Sequence, residues 1–236
     1  MGGRRFMGRA AMVLAAACWE LAGCSPLPVT VAARPLTPIA KGTIRRIAVV
    51  PFTTADVALG PTDALGAAPL SEPPGDTVTR AVETALREQG DWVILDDLTV
   101  GEAFRRLYGE VRAPTASEAA AVGTLLRADA VLRGQVLVFE ERIGAELAAN
   151  RPAHVVFAVE LLRPTDGVPL WQGEYSERQQ SLSENLWNLP GFVRAGGTWV
   201  RAGELAQIGA ARIAARLHDA LYGPPARRRG ASKTTR

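Results

Sequence analysis

The run Ile47-Ala48-Val49-Val50 constrains the fold more than any other part of this chain. Four consecutive apolar residues leave no polar face. A strand built from them must therefore be covered on both sides, which is the pattern of a strand inside an α/β sheet rather than of a half-solvated hairpin. The segments around it agree. After residues 53–75, rich in Gly, Pro and Ala, Asp76 is read as the cap of a helix with Val78, Ala81, Val82, Ala85 and Leu86 at helical spacing, ended by Gly90. Trp92-Val93-Ile94-Leu95 reads as a second strand. Thr99 with Glu102 and Thr115 with Glu118 read as capping boxes of two further helices. Asp129–Glu141 is a third strand. His154–Arg163 and Pro169–Gln180 alternate and flank Thr165-Asp166-Gly167, a hairpin signal. Arg201–Tyr222 is an amphipathic helix with Leu205, Ile208, Ala211, Ile213 and Leu217 toward one side. The expectation is one α/β domain over 44–222, in two or three layers, with a mixed sheet of about five strands in the order β-α-β-α-α-β-β-β-α.

Composition narrows the function. The chain has 236 residues, is 47% hydrophobic and carries a net charge of +3. That charge sits at the ends. Arg4, Arg5 and Arg9 lie near the start, and the last fourteen residues hold Arg227, Arg228, Arg229, Lys233 and Arg236 with no acid. The body between is mildly acidic, which argues against nucleic acid as a ligand. Both cysteines, Cys18 and Cys24, fall within the first 24 residues, so no disulfide framework or cysteine zinc site can form in the rest. Two histidines, His154 and His218, are too few for a polyhistidine metal site.

The basic start is followed by the apolar run Ala10–Cys18, too short to span a bilayer but fitted to a signal-peptide core. Leu21-Ala22-Gly23-Cys24 comes next. Here the sequence resembles a bacterial lipoprotein precursor, whose lipobox those four residues match; Trp19 and Glu20 just before it depart from the usual pattern. The resemblance implies that Leu21, Ala22 and Gly23 are recognised by the signal peptidase. It also implies that Cys24 receives a covalent diacylglycerol and an N-acyl chain, with no other cofactor. Ser25 after the cysteine implies, by resemblance to enterobacterial lipoproteins, an outer-membrane anchor facing the periplasm. Three acyl chains exceed the two signals that stable anchoring needs. Residues 1–23 are then a signal peptide, and 24–43, with Pro26, Pro28, Pro35 and Pro38, a lipidated cysteine and an extended linker reaching about 60 Å at most. Gly223-Pro224-Pro225 stops the last helix, and 223–236 form a disordered basic tail that could meet anionic lipid or cell-wall polymer.

Ile47-Ala48-Val49-Val50-Pro51-Phe52 looks like the first strand of the amino-terminal domain of the TolB protein. Arg127-Ala128-Asp129-Ala130-Val131-Leu132-Arg133-Gly134, after a helix, looks like a later step of the same group, and the hairpin carrying Leu170-Trp171-Gln172-Gly173 fits as well. That group includes penicillin-binding-protein activator lipoproteins and the curli secretion channel lipoprotein. On physical grounds Pro51, Asp129 and Gly134 are structural: Pro51 ends strand pairing, Gly134 permits close packing, and Asp129 at a helix-to-strand turn can accept backbone N–H bonds. The membrane hairpins of the curli channel have no counterpart in 53–75, which lacks the lipid-facing alternation a barrel strand needs.

No GxSxG, HExxH, P-loop or dinucleotide fingerprint is present. His154 and His218 read as strand-edge and surface residues, Asp96-Asp97 as a turn or cap, and Glu140-Glu141 as side chains diverging from a strand. No catalytic residue is assigned. Trp187, Phe192 and Trp199, on an irregular segment with Pro190 and Gly196-Gly197, are the candidate partner contacts, with 53–75 a second candidate. The expected function is a non-catalytic, lipid-anchored adapter in envelope assembly or transport, binding the bilayer through Cys24 and an envelope protein, with homo-oligomers compatible. The alternatives are an activator of a cell-wall synthase, a ring-forming subunit of a secretion complex, and a hydrolase using an unrecognised carboxylate pair.

Overall fold

The computed structural model describes residues 30–55, 72–145, 148–178 and 200–224. In chain order the elements are β1 (Thr30–Pro35), β2 (Arg46–Val49), β3 (Thr53–Thr54), α1 (Pro74–Gln89), β4 (Val93–Ile94), α2 (Asp97–Tyr108) and α3 (Ala116–Leu125). They continue with β5 (Ala130–Glu140), β6 (Ile143–Ala145), β7 (Ala148–Arg151), β8 (His154–Leu162), β9 (Pro169–Arg178) and α4 (Ala202–Tyr222). The main sheet runs β1-β9-β8-β5-β2-β4, and β3 adds to β5 as a seventh strand. Strands β2, β3, β4 and β5 are mutually parallel; β8, β9 and β1 join antiparallel. The fold is the expected mixed α/β sheet with more strands than expected: β1, β3 and the small β6-β7 hairpin are additions.

Alternation along β2 explains its unbroken apolar run. Ile47 and Val49 enter a core with α1 and α4, while Ala48 and Val50 enter a second core with α2 and α3. The first core also takes Phe157, Leu161, Trp171 and Tyr175 from the hairpin; the second reaches only as far as Val131 and Leu162. The domain is thus three-layered around β2 and two-layered over β8, β9 and β1. Both expected layer counts apply, each to a different half.

Asp129 pins the middle of the sheet. Its Oδ2 accepts the backbone N–H of Arg45 and of Arg46, each at 2.8 Å, where β2 begins beside β5. Asp129 N–H in turn donates to Arg46 O at 2.8 Å. Gly134 meets the expectation of close approach, because a Cβ there would lie 2.2 Å from Cε2 of the buried Phe52 ring. Gly209 on α4 does the same beneath Tyr175, where a Cβ would lie 2.4 Å from the ring. Tyr175 Oη donates to Glu177 at 2.7 Å and Arg212 of α4 binds the same carboxylate at 2.8 Å, tying α4 to β9. Burial pushes the Tyr175 hydroxyl far above its ordinary range.

Several local expectations are corrected. Thr30–Pro35, assigned to an extended linker over 24–43, instead pair with β9 in full register from Thr30↔Ser176 to Pro35↔Trp171. Proline is tolerated there because β1 is an edge strand. Thr53 and Thr54, placed in a loop, pair with Gln135 and Val136. Asp76 sits in the first turn of α1 rather than at its cap, which is Pro73. The cap of α2 is Asp96, accepting from Thr99 N–H at 2.9 Å, and not Thr99 with Glu102. The Thr115–Glu118 capping box forms as expected. On α4, Leu205, Ile213 and Leu217 are buried, whereas Ile208 and Ala211 face solvent and Ala206, Gly209, Ala210 and Ala214 take the inner face. Helix spacing alone gave a stripe displaced from the true inner face toward Ile208 and Ala211.

Two substitutions test these roles by urea denaturation. Asp129→Ala should cost about 1–3 kcal/mol by stranding two N–H groups, and Asp129→Asn less, since one oxygen remains. Gly134→Ala should cost about 1–3 kcal/mol by overpacking, with much of that recovered in Gly134→Ala/Phe52→Leu, where the ring is gone.

Candidate functional site

Leu36 N–H donates to Leu170 O at 2.8 Å, which fixes the phase of the β1 ladder. By alternation Arg34 and Ala32 direct their backbone groups at β9, and Pro35, Ala33 and Val31 direct theirs outward. No described strand pairs with that outer edge. Pro35 has no N–H to leave unpaired there. Thr30, at the start of this edge, lies five intervening residues from Cys24, a span of about 20 Å when fully extended. Cys24 itself, with Leu21, Ala22 and Gly23, lies outside the described residues, as do Trp187, Phe192 and Trp199, most of 53–75 and nearly all of the basic tail.

Away from α1 and α4, the face formed by β5, β8, β9 and β1 is covered by no described helix beyond Leu162. Registered rows cross it. One row is Arg34, Gln172, Glu160 and Arg133, each opposite the next. Arg133 grips the Glu160 carboxylate from Nη2 at 2.7 Å and from Nε at 2.9 Å. With its amide oxygen toward Arg34, Gln172 accepts from Nε at 2.8 Å and Nη2 at 3.0 Å. The next row is Ala32, Glu174, Ala158 and Gln135; the one beyond is Thr30, Ser176, Val156 and Val138. Small side chains between longer charged ones leave a depression of about 670 Å³ over Ala32, Arg34, Ala158, Glu160, Gln172 and Glu174. Arg34 faces Glu160 and Glu174 in the depression, and Arg133 beside it pairs with Glu160, so the charges of the face balance and its one ion pair is about one-third exposed. Such a face offers hydrogen-bonding groups in a rigid lattice set by strand register.

The residues weighed for chemistry are dispersed. His154, opening β8, sits 3.2 Å from Arg178 and 3.7 Å from Glu140, and burial with the Arg178 charge holds its imidazole below the ordinary range. His218 on α4 bonds Asp91 at 2.5 Å and stacks on Tyr222, whose hydroxyl donates to Ile44 O and Asp91 O. This cluster clamps the end of α4 to the turn before β4. Glu140 and Glu141 diverge as expected: Glu140 faces His154 and Arg178, while Glu141 accepts the N–H of Ala202 at 3.2 Å and so caps α4 from 61 residues away. No group of three or more His, Cys, Asp or Glu able to hold a metal occurs among the described residues, and no helix among them is long and apolar enough to cross a membrane.

One pair of acids does converge, and the sequence reading missed it. Glu83 on α1 is 2% exposed, binds Arg87 one turn on at 3.2 Å, and shares a cleft with Asp97 at the start of α2. Both line a cleft of about 190 Å³ with Val49, Pro51, Val100 and Val111. Burial first, then Asp97, push the Glu83 carboxyl up to about 8. The available signal was its position beside Val82 and three residues before Leu86, at the margin of the apolar stripe.

No family model matches the chain, and no match is found among curated proteins. Solved structures similar to it include the PelC dodecamer from Paraburkholderia phytofirmans, at 14% identity over 79% of this chain and 97% of that one, with a TM-score of 0.45. A lipoprotein from Neisseria meningitidis is similar at 19% identity over 64% and 96%, with a TM-score of 0.42. The carboxy-terminal domain of LpoB from Escherichia coli is similar at 14% identity over 57% and 83%, with a TM-score of 0.39. Identity this low leaves the chemistry to be read from this chain's own side chains.

The open face and the core should respond differently to substitution. Ala158→Lys and Gln172→Ala are expected to shift unfolding free energy by no more than about 0.5 kcal/mol. Leu161→Ala, on the same strand but pointing the other way, should cost about 2–5 kcal/mol. Thermal and urea melts of the three variants decide the matter.

Proposed function

We propose that this protein is a lipid-anchored, non-catalytic adapter of the bacterial envelope, held in the outer membrane by acyl chains on Cys24 and facing the periplasm. The observation that supports this reading is the sequence Leu21-Ala22-Gly23-Cys24, whose cysteine is separated by five residues from the edge strand that begins at Thr30. Residues 1–23 act as the signal peptide, with Leu21, Ala22 and Gly23 presented to the peptidase. The tether is then short, since the linker once expected to extend to residue 43 is largely taken up by β1 and its turn. The domain works within a few tens of ångströms of the lipid surface, and its open sheet face is held there in a defined setting. That face, with Trp187, Phe192 and Trp199 on the segment after β9, supplies the contacts for a protein partner in envelope assembly or transport. Activation of a cell-wall synthase is one form such an adapter takes.

A second reading, assembly of several copies, is favoured by the outer edge of β1, where Val31 and Ala33 present backbone groups suited to strand addition. Native mass measurement of the lipidated protein separates a monomeric adapter from an assembly.

Metabolic labelling with a clickable fatty acid tests the anchor. The wild-type chain should be labelled and should fractionate with the outer membrane; Cys24→Ala should carry no label and appear in the soluble periplasmic fraction. Equal labelling of both would overturn the anchor. Photo-crosslinking from position 158 should capture an envelope protein, and from position 161, inside the core, none.

A further inference from the structure

Sheet edges are usually kept from pairing by an inserted lysine, a bulge, or a proline in place of an outward N–H. The outer edge of β1 is not blunted at the positions that count. Its outward N–H groups belong to Val31 and Ala33, and the ladder to β9 runs from Thr30 to Pro35 without a bulge. The one proline, Pro35, stands at the far end, and the one charge, Arg34, is engaged by Gln172 across the ladder. Ala32, Ala33 and Arg34 are exposed.

This edge is complementary to itself. Laid antiparallel against a second copy, it hydrogen-bonds only where outward residues meet outward residues. Setting Val31 of one copy opposite Ala33 of the other does so twice by symmetry, with Ala32 opposite Ala32 between them. Every outward N–H and C=O of Val31 and Ala33 is then paired. Setting Ala33 opposite Ala33 instead brings Val31 to Pro35, which has no N–H, and leaves the Val31 carbonyl of each copy without a donor. The first register also places Arg34 opposite Thr30, so no like charges meet, and its centre holds only two small side chains. The contact is small, five residues a side against about 20–30 in a stable interface. It therefore needs a raised local concentration, which tethering both copies to one surface supplies. In this register the two Thr30 residues stand about 14 Å apart, and each lies within about 20 Å of its own Cys24.

We propose that two membrane-tethered copies join edge to edge through β1, Val31 against Ala33 about a two-fold axis at Ala32, fusing two seven-stranded sheets into one. This pairing rests on the assembly of copies considered above and on a surface tether at residue 24; it adds the partner strand and the register. Antiparallel pairing about that axis keeps each sheet face on its own side. The two open faces, with their rows from Arg34 to Arg133, therefore lie side by side, and α1 and α4 of both copies share the other side. A contact that uses the same patch on both copies closes at two.

The test uses the full chain from residue 24 with Cys24→Ala and an amino-terminal histidine tag, held on vesicles with nickel-chelating headgroups. The tag stands in for the acyl chains, so a failure of the lipid anchor, which fatty-acid labelling of the native chain reads separately, leaves this outcome untouched. Under mild oxidation Ala32→Cys should form a disulfide-linked dimer, its Cα atoms being about 4.5 Å apart in a non-hydrogen-bonded pair. Ala33→Cys, whose counterparts stand about 8 Å apart, should bridge at least about tenfold more slowly. Adding Ala33→Pro to Ala32→Cys removes one outward N–H from each copy. Bridging should then slow by about tenfold or more with the Tm unchanged, because that N–H takes no part in the β9 ladder. No bond in Ala32→Cys overturns the pairing and leaves the edge to a strand of another protein or of the same copy. Equal or faster bridging in Ala33→Cys overturns it too, since chance collision or another register then accounts for the bond. So does undiminished bridging in a folded Ala33→Pro chain. The two cysteine variants decide the matter even where the proline variant does not fold.

Discussion

Burial of β2 on both faces sets the terms for the rest of the molecule. From Ile47 to Val50 no side chain is exposed to water, so helices must arrive on each side, and the chain supplies α1 and α4 to one side and α2 and α3 to the other. Parallel neighbours require those helices as crossovers in any case. Asp129 then fixes the axial position of β2 against β5, using one carboxylate oxygen for two consecutive N–H groups just before β2 enters register with β5 at Ile47. Phe52 over Gly134 closes the other end of the same strand pair.

The second layer stops early. Helices α2 and α3 cover β2, β4 and the first part of β5, whereas β8, β9 and β1 are backed by α4 alone. One sheet therefore has a fully enclosed half, where stability resides, and a half with one free face, where strand register arranges arginines, glutamates and small residues in rows. Register is a rigid organiser: a slip by one residue would send Trp171 and Tyr175 outward and Gln172 and Glu174 into the core. The pattern on the free face is thus protected by the core beneath it without taking part in it.

Much of this was legible in the residues. The apolar run at Ile47–Val50, the Asp-Gly turn at Asp166-Gly167, the Thr115–Glu118 box and the structural roles of Asp129 and Gly134 are all local signals with local causes. What escaped depended on contacts distant in sequence. Thr30–Pro35 carries proline and alanine and reads as linker, because an edge strand takes its hydrogen bonds from a partner 140 residues on and shows little of the burial that marks inner strands. Glu141 capping α4, and Glu83 meeting Asp97, are likewise products of packing: each acid looks ordinary until another element is brought against it. The candidate contacts at Trp187, Phe192 and Trp199 and the anchor at Cys24 lie beyond the described residues, so the surface now in view, Arg34 to Arg133 across four strands, is one that sequence reading did not propose.

The short β1 strand also has a mechanical meaning. Its amino end is the point where any pull through the chain from residue 24 enters the domain, and its whole length is zipped antiparallel to β9. Tension directed along the strand loads every rung of that ladder at once, in shear, and is passed on through β9 to the α4 layer behind it. Tension directed across the strand instead meets the rungs one at a time, beginning at Thr30, and peels them. The same six residues are a firm attachment in one direction and a tear strip in the other.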